Sequence, residues 1–161
     1  MFTVTVWALI DLPLQLVFEY VADFRHAPRW QAQLESVRLD DGPFPVGRHV
    51  VENHRLLGLR IGAHGDLVAW QPLQGFTVRG RSGLLQVESR YSFAAEPPGT
   101  RVTLNLTMVT RGPARLVEPM FRRRLRNDLE AAFRQLPITI AADRDTGRQE
   151  DIRRTNPGVD G

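Results

Sequence analysis

The chain has 161 residues, of which 42% are hydrophobic, a size typical of a single domain with a substantial core. All 21 basic residues are arginine, and with 18 acidic residues they leave a net charge of +3, which does not by itself indicate a nucleic-acid partner. The absence of cysteine excludes disulfides, thiolate metal sites and cysteine nucleophiles.

The first element is predicted to be a half-buried strand over residues 2–10, because apolar side chains alternate there. Its about nine apolar-leaning positions are too few for a membrane span of ~20 residues, so we expect a cytoplasmic protein. Asp11 is expected to cap a helix with Pro13 in its first turn. Apolar side chains then recur at helical spacing: Leu14, Val17, Phe18 and Val21.

A break at "DFRHAP" interrupts this helix, and we expect a second short helix that carries Trp30 and Leu34. Two roles are open for Trp30. Its indole can stack on a ligand while the ring nitrogen finds water or a carbonyl group. It can also pack as core between the second helix and the sheet, and the two roles are compatible.

Five strands are expected beyond Asp40, at about residues 46–56, 59–70, 75–81, 85–95 and 100–110. The turn "EPPG" joins the last two strands and predicts their register. One face pairs mostly apolar side chains: Phe93 with Val102, Tyr91 with Leu104, Ser89 with Leu106 and Val87 with Met108. The other face pairs polar ones: Ser92 with Thr103, Arg90 with Asn105 and Glu88 with Thr107. Since a one-residue slip would exchange the faces, this register is strongly specified.

The last predicted element is a long helix that follows "RGPARLVEP". Its apolar stripe, near the 3.6-residue period, consists of Leu116, Met120, Leu125, Leu129, Phe133 and Leu136. We expect Pro137 to limit the helix. Residues 1–141 are therefore assigned to one domain, and residues 142–161, which contain few large apolar groups, to a flexible C-terminal tail.

This order of elements predicts an α+β domain. Four segments also resemble the SRPBCC (START-like) superfamily, particularly its bacterial polyketide cyclase/dehydrase and lipid-transport-like members: "DLPLQLVFEYVADFRHAPRW", "VAWQP", "GTRVTLNLTM" and "RGPARLVEPMFRRRLRNDLEAAFRQL". The resemblance covers roughly residues 2–137. It implies a helix-grip fold, in which a curved antiparallel β-sheet wraps around the long C-terminal helix, and an internal cavity for a small hydrophobic molecule.

Glu52 and His54 are the candidate catalytic residues, because they lie two apart in a predicted strand and share a face. A turn at "LLGL" places His54 opposite Ile61 and Glu52 opposite Ala63. If this polar pair projects into an apolar cavity, burial and proximity can create an acid/base pair. A bulge would instead direct His54 to solvent, so ligand contact and a structural role stay open.

The inward faces predict a mostly apolar binding surface with a few polar points. The candidate ligand-binding residues are Trp30, Phe76, Val78, Val87, Ser89, Tyr91, Phe93, Leu104, Leu106, Met108 and Met120. Further lining is expected from Val4, Val6, Thr110 and Phe133. The phenol of Tyr91 points inward and needs a partner, either a protein or water group or a ligand oxygen.

We expect no metal, no cofactor and no serine nucleophile. His49 and His54 are an odd number of strand positions apart and face opposite ways, which does not suit a shared metal ion. The sequence contains no H-E-x-x-H, G-x-G-x-x-G, P-loop or G-x-S-x-G motif.

Arginines cluster around the start of the long helix, and between residues 111 and 126 only Glu118 opposes them. The cluster consists of Arg111, Arg115, Arg122, Arg123, Arg124 and Arg126. Such a run is more often a solvated face than a binding surface. Because aromatic residues do not alternate with the arginines as base stacking requires, we expect no specific nucleic-acid binding. Weak contact with an anionic surface through Arg122, Arg123 and Arg126 stays open.

Two functions follow as hypotheses. In the first, the chain binds a small hydrophobic or amphipathic molecule, such as a lipid, a polyketide or a quinone-like compound, between the sheet and the long helix. In the alternative, it is a cofactor-independent cyclase or dehydratase in which His54 or Glu52 is the base and Tyr91 donates a hydrogen bond to a developing enolate. The fold does not decide between them.

Overall fold

The structure, a computed structural model, describes residues 1–40, 45–56 and 58–155. These residues form one seven-stranded antiparallel sheet in the order β1-β7-β6-β5-β4-β3-β2. The strands are β1 (Phe2–Ile10), β2 (Leu34–Leu39), β3 (His49–Leu56), β4 (Leu59–Gln71), β5 (Gly75–Ser82), β6 (Leu85–Glu96) and β7 (Gly99–Thr110). The helices are α1 (Leu14–Ala22), α2 (Ala27–Trp30) and α3 (Glu118–Thr155).

The sheet is curved and α3 packs on its apolar face, so the predicted helix-grip fold is confirmed. The predicted half-buried strand over residues 2–10 is confirmed as β1, since every second side chain from Phe2 to Ile10 is buried. The expected register of β6 and β7 is confirmed in every pair, including Tyr91 with Leu104. The pairing of His54 with Ile61 is confirmed as well; residue 57, in the expected turn, lies outside the described residues.

Two local predictions near the first helices were wrong. Leu34 is not part of the second helix, which ends at Trp30; it opens β2 instead. A register shift between Leu34 and Ser36 interrupts the alternation of β2, which is why the sequence pattern did not indicate a strand there. Asp11 does not cap α1 either, because Pro13 occupies the N-cap position and contributes no side-chain hydrogen bond.

The expected end of the long helix at Pro137 was also wrong, since α3 continues through the proline to Thr155. Proline removes one backbone hydrogen bond and normally disfavours a helix interior. Here the apolar stripe continues past it, with Leu136 and Ile140 both buried on either side. Packing of these side chains offsets the local cost of proline. Residues 142–155 are therefore helical, residues 156–161 lie outside the described part, and mobility of the tail stays a prediction.

A polar contact ties the second half of α3 to the short helices. The carboxylate of Asp143 accepts a hydrogen bond from the Tyr20 hydroxyl at 2.6 Å and one from the Arg29 guanidinium, also at 2.6 Å. Burial raises the pKa of the Tyr20 phenol, and its hydrogen bond to the carboxylate acts in the same direction. The ring of Tyr20 also stacks on His26, with centroids 4.2 Å apart. This contact holds α1 and α2 against α3.

Aromatic side chains pack together between α1 and the sheet. We call Phe18, Phe24, Trp70, Phe76 and Phe93 the aromatic cluster. Phe18 makes edge contacts with Trp70 and Phe93, with ring centroids 5.2 and 5.0 Å apart. Phe76 lies beside all four other members, with ring centroids no more than 6.4 Å away. Such rings bury large areas and pack in edge or offset geometry, so they close this end of the space beneath the sheet. Phe18, Phe24 and Trp70 also border a separate, open surface groove of about 970 Å³.

Candidate functional site

An internal cavity lies between the sheet, α2 and the first turns of α3. Its volume is about 160 Å³. A single water needs only about 10 to 15 Å³ measured in the same way, so the cavity is far larger than a packing defect. Its wall is mostly apolar, which is the character that small hydrophobic ligands require.

Most of the predicted site residues line this cavity. Both candidate catalytic residues, Glu52 and His54, do so. The candidate ligand-binding residues on the wall are Trp30, Val78, Val87, Ser89, Tyr91, Leu104, Leu106 and Met108. They meet there because the confirmed registers place residues of one parity on the inward face of β3 to β7.

Three candidate ligand-binding residues lie outside the cavity wall. Phe76 and Phe93 pack within the aromatic cluster, of which only Phe24 reaches the cavity wall. Met120 is 57% exposed at the start of α3 and points away from the core. The expected lining role was also wrong for four other residues, which pack elsewhere: Val4, Val6, Thr110 and Phe133.

Trp30 both packs as core and lines the cavity. It is almost fully buried, and its ring makes an edge contact with Phe133 of α3 at a centroid distance of 5.6 Å. The packing partner is therefore the long helix rather than only the sheet. The same indole forms part of the cavity wall. A change at Trp30 would consequently alter both the helix contact and the shape of the cavity.

Glu52 and His54 form a hydrogen-bonded pair on β3. His54 Nε2 lies 2.9 Å from Glu52 Oε2. Their side chains are only 31% and 28% exposed, so neither is directed into bulk solvent. No bulge occurs in the β3–β4 ladder at this point, and the two residues face Ala63 and Ile61 as expected. When Nε2–H donates to the carboxylate, Nδ1 of the imidazole retains the lone pair that can accept a proton.

Tyr91 connects the cavity with the aromatic cluster. Its ring stacks on Phe76 with centroids 4.7 Å apart, and it also lines the cavity. Burial raises the pKa of the Tyr91 phenol well above its usual value, and the nearby Glu52 carboxylate adds to this effect. A hydrogen bond with the Gln31 side chain acts in the opposite direction. The phenol is therefore protonated at neutral pH and can donate a hydrogen bond.

Several wall residues were not predicted as site residues. In and around the short helices they are Val21, Phe24, Ala27 and Gln31, and on α3 they are Phe121, Leu125 and Leu129. The α3 residues recur at intervals of four, which is the signal that could have identified them. On β4 the wall includes Ile61 and Ala63, the strand partners of His54 and Glu52. Arg81, Ser82 and Leu85 also line it, at the hairpin between β5 and β6.

Arginines surround the end of the sheet from which α3 starts. Arg124 of the predicted cluster pairs with Asp128 at 3.0 Å. Glu118 contacts the N-terminal amine at 3.5 Å and accepts a hydrogen bond from Thr110, which holds its pKa below the usual value.

Within residues 1–40, 45–56 and 58–155, no helix combines the length and hydropathy of a transmembrane span.

Sequence comparison identifies one family. A sequence profile described as "Polyketide cyclase / dehydrase and lipid transport" matches residues 1–137. This range contains every strand and the half of α3 that packs on the cavity. No curated protein sequence matches the chain significantly.

Solved structures share the fold at low sequence identity. A Thermus thermophilus protein, TTHA0849, superposes with a TM-score of 0.76 at 16% identity over 88% of this chain and 98% of its own. The Zhui aromatase/cyclase from Streptomyces sp. R1128 gives 0.74 at 13% identity, over 87% of this chain and 93% of its own. The di-domain ARO/CYC BexL gives 0.69 at 19% identity, over 86% of this chain and 50% of its own. At such identities the likeness concerns the fold.

Proposed function

The chain belongs to the polyketide cyclase / dehydrase and lipid transport family, and from this premise we propose that it binds a small hydrophobic or amphipathic molecule in the cavity. The observation that carries the proposal is the cavity itself, about 160 Å³ between the sheet and α3. Candidate ligands are a lipid, a polyketide or a quinone-like compound.

The wall chemistry supports a ligand with an apolar body and a polar group. Val87, Leu106 and Met108 supply apolar surface from neighbouring strands. The hydrogen-bonding groups of Glu52 and His54 lie together on β3 and can orient one polar end of a ligand. A few fixed polar groups in an otherwise apolar site give orientation, while burial of apolar area provides the binding free energy.

Binding is tested with a matched pair of substitutions on β4. Ala63 lines the cavity, whereas Ala69 is exposed on the same strand beyond a register shift. We expect Ala63→Phe to fill the cavity and to weaken binding of the neutral fluorophore N-phenyl-1-naphthylamine at least about tenfold, the effect of roughly 1.4 kcal/mol. Ala69→Phe serves as the control and should leave the dissociation constant unchanged. Equal binding by both variants, with circular dichroism showing intact folds, would refute cavity binding.

A second candidate function is acid/base catalysis of the cyclase or dehydratase type, favoured by the Glu52–His54 hydrogen bond in the cavity. His54 would take a proton from the carbon next to a ligand carbonyl, with Glu52 orienting the ring and stabilising the imidazolium. Tyr91 would donate a hydrogen bond to the enolate oxygen that forms. Burial keeps this phenol protonated, as such a donor requires.

Proton abstraction is tested without knowledge of the natural substrate. We expect the protein to accelerate exchange of the methyl protons of acetophenone for deuterium, followed by NMR, and we expect His54→Gln to abolish the acceleration. His49→Gln is the control, because His49 pairs with Asp66 on the surface outside the cavity. If the wild type and His54→Gln exchange at the same rate, the catalytic proposal fails while ligand binding remains to be judged on its own test.

A further inference from the structure

Large apolar side chains are exposed at one end of the sheet. We call Leu59, Leu84, Leu116, Val117 and Met120 the rim. Each is at least half exposed, and Leu116 is 85% exposed. Scattered apolar residues on a surface are ordinary, but a group gathered in one region is typical of an interaction site.

Topology places the rim residues at the same end. Leu59 follows the end of β3, Leu84 lies between β5 and β6, and the other three rim residues follow the end of β7. Direct contacts join these segments. The backbone N–H of Arg111 donates to the carbonyl of Leu84 at 3.2 Å. The hydroxyl of Ser82 donates to the carbonyl of Gly62 at 2.6 Å.

The rim borders the cavity. Leu59 lies two residues before Ile61, and Leu84 directly precedes Leu85. Met120 directly precedes Phe121. Ile61, Leu85 and Phe121 all line the cavity. A surface that engages the rim would therefore lie next to the cavity wall.

Uncompensated positive charge accompanies the rim. Arg81, Arg111, Arg115, Arg122 and Arg123 are exposed, and none of them forms an ion pair within the part of the chain that the structure describes. The one acidic residue in the segment from 111 to 126, Glu118, is engaged by the N-terminal amine and Thr110.

The opposite end of the domain has a different charge arrangement. Three arginines there are paired: Arg25 with Asp23 at 2.6 Å, Arg29 with Asp143 at 2.6 Å and Arg101 with Glu96 at 2.5 Å. The rim therefore combines a group of exposed apolar side chains with five exposed arginines that form no ion pair among the described residues.

We propose that the rim and its arginines form a docking surface for an anionic lipid bilayer. The apolar side chains enter the headgroup region while the guanidinium groups contact lipid phosphates. A bilayer suits this surface better than an acidic protein does, because the apolar groups project from three separate chain segments and a fluid interface adapts to each. The role of docking, which is transfer of a ligand between the bilayer and the cavity, rests on the proposed ligand-binding function.

Docking is tested by co-sedimentation of the full chain with vesicles of phosphatidylcholine and phosphatidylglycerol at a 3:1 ratio. We expect binding to these vesicles and none to pure phosphatidylcholine. The double variant Arg122→Gln with Arg123→Gln should bind these vesicles more weakly, by about five-fold per arginine. Raised salt should also weaken vesicle binding, because it screens the attraction between guanidinium groups and lipid phosphates. Leu116→Ser with Met120→Ser should weaken it at least about tenfold through the loss of buried apolar area.

Matched controls come from the distal half of α3. Ile138 is an exposed apolar residue, and Arg144 and Arg148 are exposed arginines. Ile138→Ser and the pair Arg144→Gln with Arg148→Gln should bind vesicles as the wild type does. Tryptophan introduced by Leu116→Trp should report docking directly through a blue shift of its emission.

Three results would overturn the proposal. The first is equal binding to neutral and anionic vesicles, and the second is equal losses in rim and control variants. The third is retention of binding by the serine double variant, because then only charge acts and an acidic protein becomes the better partner. The vesicle test needs no cavity ligand and the fluorophore test needs no vesicle, so failure of docking is distinguishable from failure of ligand binding.

Discussion

The two ends of the sheet show how one strand pattern gives both a closed core and a cavity. Inward side chains of β5 decrease in size from Phe76 through Val78 to Gly80. On β6 they change from Phe93 at the closed end to Val87 near the rim. Alternation does not separate the two ends, since at the closed end β5 begins with three consecutive buried residues and β4 shifts register between Leu67 and Ala69. The size of the inward side chain, rather than its polarity, decides whether space remains beneath α3.

Truncation of one phenylalanine at each end gives the largest expected contrast. Phe76→Ala should lower the free energy of unfolding by about 3 to 5 kcal/mol, because it leaves a void among packed rings. Phe121→Ala should lower it by less than about 2 kcal/mol, since Phe121 is half-buried and already borders open space. Urea unfolding of both variants measures the difference, and equal losses would contradict the contrast between the ends.

Added volume should have opposite consequences at the two ends. Val102 is completely buried beside Phe93, so Val102→Leu should cost about 1 to 3 kcal/mol through overpacking. Val78 lines the cavity, and Val78→Leu should change the unfolding free energy by less than about 1 kcal/mol. Thermal unfolding checks both variants. A large loss in Val78→Leu would mean that the cavity is not available to a larger side chain.

The anchor of α3 at the closed end should make stability depend on pH. Burial raises the pKa of Asp143, but hydrogen bonds from Arg29 and Tyr20 outweigh it and hold the pKa below the usual value. Stabilisation is then complete above the unfolded pKa of about 3.9 and is lost as pH falls through that range. Asp143→Asn should cost about 1 to 3 kcal/mol at pH 6.

Comparison of pH 6 with pH 3 isolates this effect from other carboxylates. Between these values, the wild type should lose more unfolding free energy than Asp143→Asn does. Asp145→Asn, an exposed site on the same helix, is the control and should follow the wild type. A wild-type curve parallel to that of Asp143→Asn would show that the anchor does not act in this way.

The smallest expected effect concerns a surface pair on β3 and β4. A hydrogen bond to Asp66 raises the pKa of His49 above its usual value, with Nδ1 lying 2.7 Å from the carboxylate. The pair stabilises the fold below about pH 6.5, and its contribution is lost as pH rises through the folded pKa. NMR titration of His49 should give a midpoint above about 6.5 in the wild type and a lower one in Asp66→Asn. Identical midpoints would exclude the interaction.

Prediction of the fold from sequence succeeded where alternation was uninterrupted. The β6–β7 register could be derived because a slip would have buried Arg90 and exposed Tyr91. Prediction failed where tertiary contacts determine the strand register or the length of a helix. The shifted register of β2 breaks its pattern, and packing of Ile140 carries α3 past Pro137.

Prediction of the site reached the residues that a strand register can place, such as Glu52 and Val87. It could not separate the cavity from the core, because Phe76 and Val78 lie on the same inward face, and only the packed structure shows how far the elements opposite each of them fill the space. The contribution of Gln31 depends on where α2 ends, which the sequence pattern does not specify.

Native mass spectrometry of the purified wild-type chain tests the central claim most directly. We predict a 1:1 complex with a small apolar or amphipathic molecule, either co-purified or added as N-phenyl-1-naphthylamine, and no complex in Ala63→Phe. A chain that stays unliganded under both conditions, or an Ala63→Phe variant that retains the complex, would contradict the account.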